Sequence, residues 1–247
     1  MTAIRLLRKK VSIANQNQVP LKGGTCNNKE NQMENNNQSL DTRQQHLVKL
    51  SAFTSTNDVV RLKSALNKAL DSGLTINEIN EVLAHLYAYV GYPASITGIH
   101  LFKEVVSERQ SNGIKDEKGR EITPIPQGST RYERGETAQM IVTAMSAEQL
   151  KTLFAFNPLI DVFLKEHLFA DIFDRDILSY TDREIVTVSS LASVHHAFVR
   201  SHIGGALNVG VTENQLKEVF AIIQDTIGKK EAETANRVLA EVIVSRK

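Results

Sequence analysis

The chain has one cysteine, Cys26, in 247 residues. It therefore has no intrachain disulfide, no cysteine-rich zinc site and no C-x-x-C redox pair. It lacks a charge of one sign, with 29 basic against 28 acidic residues, so no global field draws it toward nucleic acid. It lacks any run of about 18 apolar residues, the length that spans a bilayer. The start, MTAIRLLRKKVSIANQ, lacks the apolar core of about 7–15 residues that a secretory signal requires. No stretch shows a convincing strand alternation, so the expected class is all-α, with a soluble, cytoplasmic location and neither membrane nor nucleic acid as partner. Residues 1–39 carry six basic residues against Glu30 and Glu34 in an Asn- and Gln-rich setting. They read as a disordered polar tail.

The chain does contain a repeat. LNKALDSGLT (Leu66–Thr75) and IGGALNVGVT (Ile203–Thr212) superpose at a spacing of 137, as do Glu81 with Glu218 and Gly91 with Gly228. Upstream, HLVKLSAF (His46–Phe53) lies over EIVTVSSL (Glu184–Leu191) at 138, so the first copy has one extra residue in the intervening turn. One long spacing between two copies indicates duplication of a whole unit rather than a solenoid. The first unit is read over residues 40–109, a linker over 110–150 and the second unit with its lead-in over 151–247.

Within the first unit Leu62, Leu66, Ala69 and Leu70 have the spacing of one helical face, and Gly73 ends that helix. Thr75 to Glu78 is a capping box and starts another helix at Ile76, which the GYPAS segment (Gly91–Ser95) breaks. Thr212 to Gln215 repeats the box. Between the units, Lys118-Gly119 suggests a small hairpin, Tyr132–Ala144 a short helix, Ser146 to Gln149 a further box, and Ala147–Phe173 one or two helices.

The only dense titratable cluster is Glu184, His195, His196 and His202, with Arg183 and Arg200 beside it. On one straight helix Glu184 and His202 would sit about 27 Å apart. The repeat relieves this, because the matching stretch of the first unit, Thr54-Ser55-Thr56-Asn57-Asp58, is a turn and N-cap. A turn near Ser193 would bring Glu184 within reach of His202 and leave His195 and His196 at a helix start, where the dipole favours neutral imidazole. Such a Glu–His pair suits general acid–base work, and equally a buried tie between two helices. The same residues make poor metal ligands, since adjacent histidines point about 100° apart on a helix, and no metal is expected. The first unit lacks this cluster but has His85, Tyr87 and Tyr89, where the second has Ile222, Gln224 and Thr226. Tyr87 and Tyr89 cannot both face one way on a regular helix. Neither copy is complete, which predicts one composite site per chain.

The pattern L-x-x-A-L-x-x-G-L-T-x-x-E-I-x-E-V-x-x-x-x-x-x-Y-x-G-Y-P-A in Leu66–Ala94, with R-E-I-V-T-V (Arg183–Val188) and H-I-x-x-A-L-N-x-G-V-T (His202–Thr212), resembles the carboxymuconolactone decarboxylase family, which includes the alkylhydroperoxidase D-like proteins. The resemblance implies helical hairpins assembled into homotrimers or other homo-oligomers, and two chemistries. The peroxidase branch uses C-x-x-C-x-x-x-H. Its last position falls on His202, but its cysteines fall on His195 and Phe198, so thiol chemistry cannot run. The decarboxylase branch implies a cofactor-free lyase acting on a small-molecule carboxylate or lactone. In it His202 or Glu184 would handle the proton, His195 or His196 would stabilise negative charge, and Arg183 or Arg200, with His85, Tyr87 and Tyr89, would hold substrate. A non-catalytic oligomeric scaffold of the same fold is the remaining expectation.

Overall fold

The structure is a computed structural model that describes residues 38–125 and 127–246; the expected tail and Cys26 lie outside them, apart from Gln38 and Ser39. The described residues are helical and contain no strand. In the first unit, α1 (Thr42–Ser55), α2 (Val59–Asp71) and α3 (Ile76–Ser111) follow one another. The second unit repeats them as α7 (Tyr180–Ser193), α8 (Val199–Asn208), α9 (Glu213–Thr226) and α10 (Lys229–Ser245). Between them lie α4 (Arg131–Thr143), α5 (Ala147–Leu153) and α6 (Pro158–Val162), the last running into a π-helix over Phe163–Phe173.

Local sequence sets each start and stop. Reciprocal capping boxes open α3 at Thr75/Glu78 and α9 at Thr212/Gln215, as well as α1 at Asp41/Gln44 and α7 at Ser179/Asp182, satisfying N–H groups that a helix start leaves unpaired. Gly73 and Gly210 close the preceding helices at φ 94° and 97°, and a Cβ added at either would meet nothing within 4 Å. Backbone conformation rather than space therefore calls for glycine there. Asn57 and His195, at matching positions, both turn the chain at φ 53°, which is why α1 stops at Ser55 and α7 at Ser193. Gly91, at φ 75°, breaks α3 into two limbs, and Pro93 follows where the second limb begins.

The two units share their cores. Helices α1 and α7 pack at the centre, and every residue from Asp182 to Ser193 is buried. Short hydroxyl side chains allow the close approach: Ser51 Oγ donates to the Val186 carbonyl at 2.6 Å and Ser55 Oγ to Ser190 Oγ at 2.8 Å. Thr187, Ser189 and Ser193 donate to carbonyls four residues back, so no hydroxyl among them is stranded. Val48 of α1 lies in the core of the second unit, whereas its counterpart Val186 lies in the core of the first. This reciprocal exchange is an isologous interface built within one chain.

The expected hairpin at Lys118-Gly119 does not form. Instead the Glu117 and Lys118 carbonyls accept the Ile76 and Asn77 N–H groups, each at 2.9 Å, so the connecting segment caps α3 rather than pairing with itself. The segment is then pinned by Asp176, which accepts the Thr123 N–H at 3.0 Å and pairs with Arg120 at 2.9 Å. Beyond it, Ala138 and Val142 of α4 pack with Phe169 and Phe173 in a third core, against which Tyr89 and Tyr180 rest. The nominal linker thus supplies one wall of the region described next.

Candidate functional site

Helices α3 and α7 cross so that two polar layers meet. In the deeper layer Arg183, fully buried, donates from Nη2 to Glu81 Oε1 at 2.7 Å and to the Arg175 carbonyl at 2.6 Å. Glu81 also receives Arg175, through Nε at 2.9 and 3.0 Å and Nη2 at 3.0 Å. Two guanidinium groups therefore share one carboxylate, Arg183 from a dry position and Arg175 from a partly exposed one, through charge-assisted bonds.

His85, also fully buried, sits on this layer: Arg183 Nη1 lies 3.3 Å from its Nδ1, and its Nε2 lies 2.8 Å from Thr187 Oγ1. The Thr187 hydroxyl donates to the Arg183 carbonyl at 2.9 Å, so it accepts from His85. His85 is then a neutral imidazole with its proton on Nε2 and its Nδ1 accepting from Arg183. Burial first, and the Arg183 charge second, push its pKa well below the ordinary 6.5.

The upper layer is the Glu184–His202 pair. Glu184 is fully buried, and its Oε2 and Oε1 lie 3.1 and 3.3 Å from His202 Nδ1. Its carboxylate rests over Gly205, where a Cβ would stand 3.2 Å from Oε2 and 3.3 Å from Val142 Cγ1, so the glycine makes room for the pair. His202 is 13 % exposed, and its Nε2 is not committed to Glu184. Tyr89 meets the His202 ring nearly perpendicular, at 87° and 5.3 Å, while Phe198 flanks the ring at 5.8 Å. Tyr89 and Phe173 also contact His85, at 5.2 and 5.1 Å. The Tyr89 hydroxyl is buried and makes no hydrogen bond of good geometry, with the Thr187 hydroxyl close enough to act on it. Burial, and then the Glu184 charge, raise its pKa, so the phenol keeps its proton and remains a donor.

The site therefore draws on both repeats, with His85 and Tyr89 from the first and Arg183, Glu184, Thr187 and His202 from the second. Matches to the carboxymuconolactone decarboxylase family cover residues 25–104 and 158–241, two regions that together exceed half of the chain. The chain belongs to this family. No match to a curated protein accompanies it.

Four residues expected at the site of this family member lie elsewhere. His195 is in the turn before α8, with Nε2 2.8 Å from Glu231 Oε1, and His196 uses Nδ1 to accept the Phe198 N–H at 3.1 Å. The reason is backbone: the positive φ of His195 cannot continue a helix, so α8 begins at Val199 and neither imidazole is presented by a helix start. Arg200 faces outward and pairs with Glu241 at 2.5 Å. Tyr87 stacks on Tyr92 at 4.6 Å and 20° and bonds through its hydroxyl to His167, which Asp171 orients at 3.1 Å. Arg183 is central, yet both its Nη atoms are already engaged.

Sequence reasoning missed Glu81, Arg175, Thr187, Phe173 and Phe198 as parts of the site. Glu81 had a signal, since it stands in the family pattern, whereas Arg175 precedes α7 in an irregular turn and has none. Among the described residues no group of three or more His, Cys, Asp or Glu side chains could hold a metal ion, and no helix is long and apolar enough to cross a membrane.

Proposed function

We propose that this protein is a lyase of the carboxymuconolactone decarboxylase type, acting without a cofactor on a small cyclic carboxylic acid or lactone. The observation that carries this reading is the buried Glu184 carboxylate fixed on His202 Nδ1 beneath an uncommitted Nε2, with the Tyr89 ring packed against the His202 ring. Loss of CO2 leaves the electron pair of the broken C–C bond delocalised into the ring as an enolate. His202, protonated on Nε2, gives that proton to carbon, and Glu184 stabilises the imidazolium before the transfer; His202 then regains a proton from solvent. Tyr89 donates a hydrogen bond to the developing enolate oxygen. Arg183 and Arg175 outnumber Glu81 by one positive charge, so they favour an anionic substrate through the field beneath His85 rather than by a direct clamp.

The scaffold reading rests on the same burial, since a fully enclosed Glu184 would equally tie α7 to α8. An ultraviolet assay with carboxymuconolactone separates the two. Wild type should turn over and His202→Ala and Glu184→Gln should lose roughly 10²–10⁴-fold, the usual contribution of a positioned acid or base. Equal slow rates in all three correctly folded proteins would refute the lyase. Assembly into a homo-oligomer accompanies this reading, and Phe156 in the turn before α6, Leu159 on α6 and Phe163 at the start of the π-helix are exposed and offer apolar surface for it.

A further inference from the structure

Where α3 meets the π-helix, three side chains that the Glu184–His202 site does not use form a hydrogen-bonded chain. Asp171 Oδ2 lies 3.1 Å from His167 Nδ1, one turn away on the π-helix, and Arg131 Nη2 holds the same oxygen at 2.9 Å. A carboxylate accepts, so Nδ1 carries the ring proton, and the neutral imidazole then presents a lone pair at Nε2. That nitrogen meets the Tyr87 hydroxyl, so the phenol donates to it. This is the order in which an activated nucleophile is built: a hydroxyl on a base, and the base turned by a third group.

The chain is open to solvent. His167 is 49 % exposed, and Tyr87 is only partly buried. Tyr92, 62 % exposed, stacks on Tyr87 at 4.6 Å and 20°. On a regular helix residues five apart point about 140° away from each other, and it is the left-handed backbone of Gly91 that lets Tyr92 turn back onto Tyr87. The stack leaves an aromatic face uncovered next to the phenol. Tyr89 serves a different place, since its ring contacts are with His85 and His202.

We propose that Tyr87 is a nucleophile that takes an acyl group from an aryl carboxylic ester. The Tyr87 oxygen attacks the ester carbonyl as its proton passes to His167 Nε2, and Asp171 stabilises the imidazolium so formed. The aryl oxide then leaves with that proton. One ester and the Tyr87 phenol become acyl-Tyr87 and a free phenol, and His167 is neutral again. The aryl group has the face of Tyr92 to stack on. A neutral ester suits this place better than a phosphoryl donor, whose negative charges would meet Asp171 while Arg131 is already committed to it. The inference does not rest on the lyase reading.

The test treats the full chain with p-nitrophenyl acetate, follows p-nitrophenol by absorbance and locates the acetyl group by peptide mass spectrometry. A burst stoichiometric with the chain is expected, with the acetyl group on Tyr87. Tyr87→Phe, which keeps the stack, should abolish the burst. His167→Ala should slow acetylation of Tyr87 by about a hundredfold or more, and added imidazole should restore part of the rate. Asp171 is a positioning residue: Asp171→Asn, whose amide favours the other imidazole tautomer, should lower the rate at least about tenfold, and Asp171→Glu should recover most of it. Acetyl groups confined to lysines or to His167, or Tyr87 acetylated no faster than Tyr92, would overturn the proposal. So would His167→Ala or Asp171→Asn variants of unaltered circular dichroism that react as fast as wild type, or losses that imidazole and Asp171→Glu leave unrestored.

Discussion

Replacing Glu81 with glutamine removes one negative charge and little volume from the deeper layer of the site. The wild-type carboxylate is 5 % exposed and accepts four N–H contacts at 2.7–3.0 Å from Arg175 and Arg183. An amide offers one oxygen in place of two and turns an NH2 group toward the guanidinium donors. Arg183 would then be left fully buried beside a second cation. Asp174, which also acts on the Arg183 charge network, already pairs with Arg134 at 3.4 Å. Breaking a buried pair by removing one partner costs about 3–5 kcal/mol. Arg175 is 40 % exposed and recovers some solvation, so the lower part of that range is expected. For a chain of this size each kcal/mol shifts Tm by roughly 2–4 °C, which gives a fall of about 6–12 °C. Urea denaturation followed by circular dichroism should show a lower midpoint at an unchanged slope. Adding Arg183→Met to Glu81→Gln removes the stranded charge and should restore roughly 1–3 kcal/mol. A cost below about 1 kcal/mol for Glu81→Gln, or a double variant less stable than the single, would refute the reasoning.

Two further outcomes follow from the same geometry. Because His85 is held neutral in the fold while its unfolded form takes a proton near 6.5, the unfolded chain binds the extra proton below that pH, and stability should fall with a slope approaching about 1.4 kcal/mol per pH unit; His85→Gln should flatten the decline seen in urea midpoints between pH 6.5 and 5, leaving the weaker contribution of the partly buried His46, and an equally steep variant would exclude His85 as the cause. Phe156→Glu with Phe163→Glu should reduce the mass measured by light scattering to that of one chain, and an unchanged assembly would remove the α6 and π-helical face from the subunit contact.

Much of this architecture was legible because it is written in local chemistry. The capping boxes at Thr75 and Thr212 and the glycines at 73 and 210 each satisfy a backbone requirement that acts over four residues, so they can be recognised without a fold. The approach of His202 to Glu184 was legible only through the repeat, since the first copy's Asn57 turn marks where the second copy must bend. The same comparison carried unused information: asparagine favours positive φ, and reading that conformation onto His195 would have removed His195 and His196 from the start of α8. Glu81, Arg175 and Thr187 converge on Arg183 and His85 from different helices and a turn, so no spacing along the chain connects them. The π-helix over Phe163–Phe173 has ordinary helical composition, because its hydrogen-bond register is set by packing against α4. There Gly135 admits the Lys165 carbonyl to a distance that no Cβ would permit.

The reciprocal placement of Val48 and Val186 ties each unit's core to the other, so neither copy can lose its central helix without exposing apolar surface in both units. That constraint acts on the α1–α7 contact and leaves the outward-facing residues of the two units free to diverge. Their divergence turns on the partner given to one acid that both copies carry. Glu81 and Glu218 are equivalent, but Glu81 faces Arg183, whereas the matching residue in the first unit is Gln45. Without an arginine to neutralise, Glu218 is taken up by the Leu40 N–H and Asn214. The consequence is a difference in charge between the two units. In one, Glu81 is balanced by buried Arg183 and partly exposed Arg175, and a second carboxylate, Glu184, is left to orient His202; in the other, Glu218 serves the backbone and His46 stands where Glu184 would.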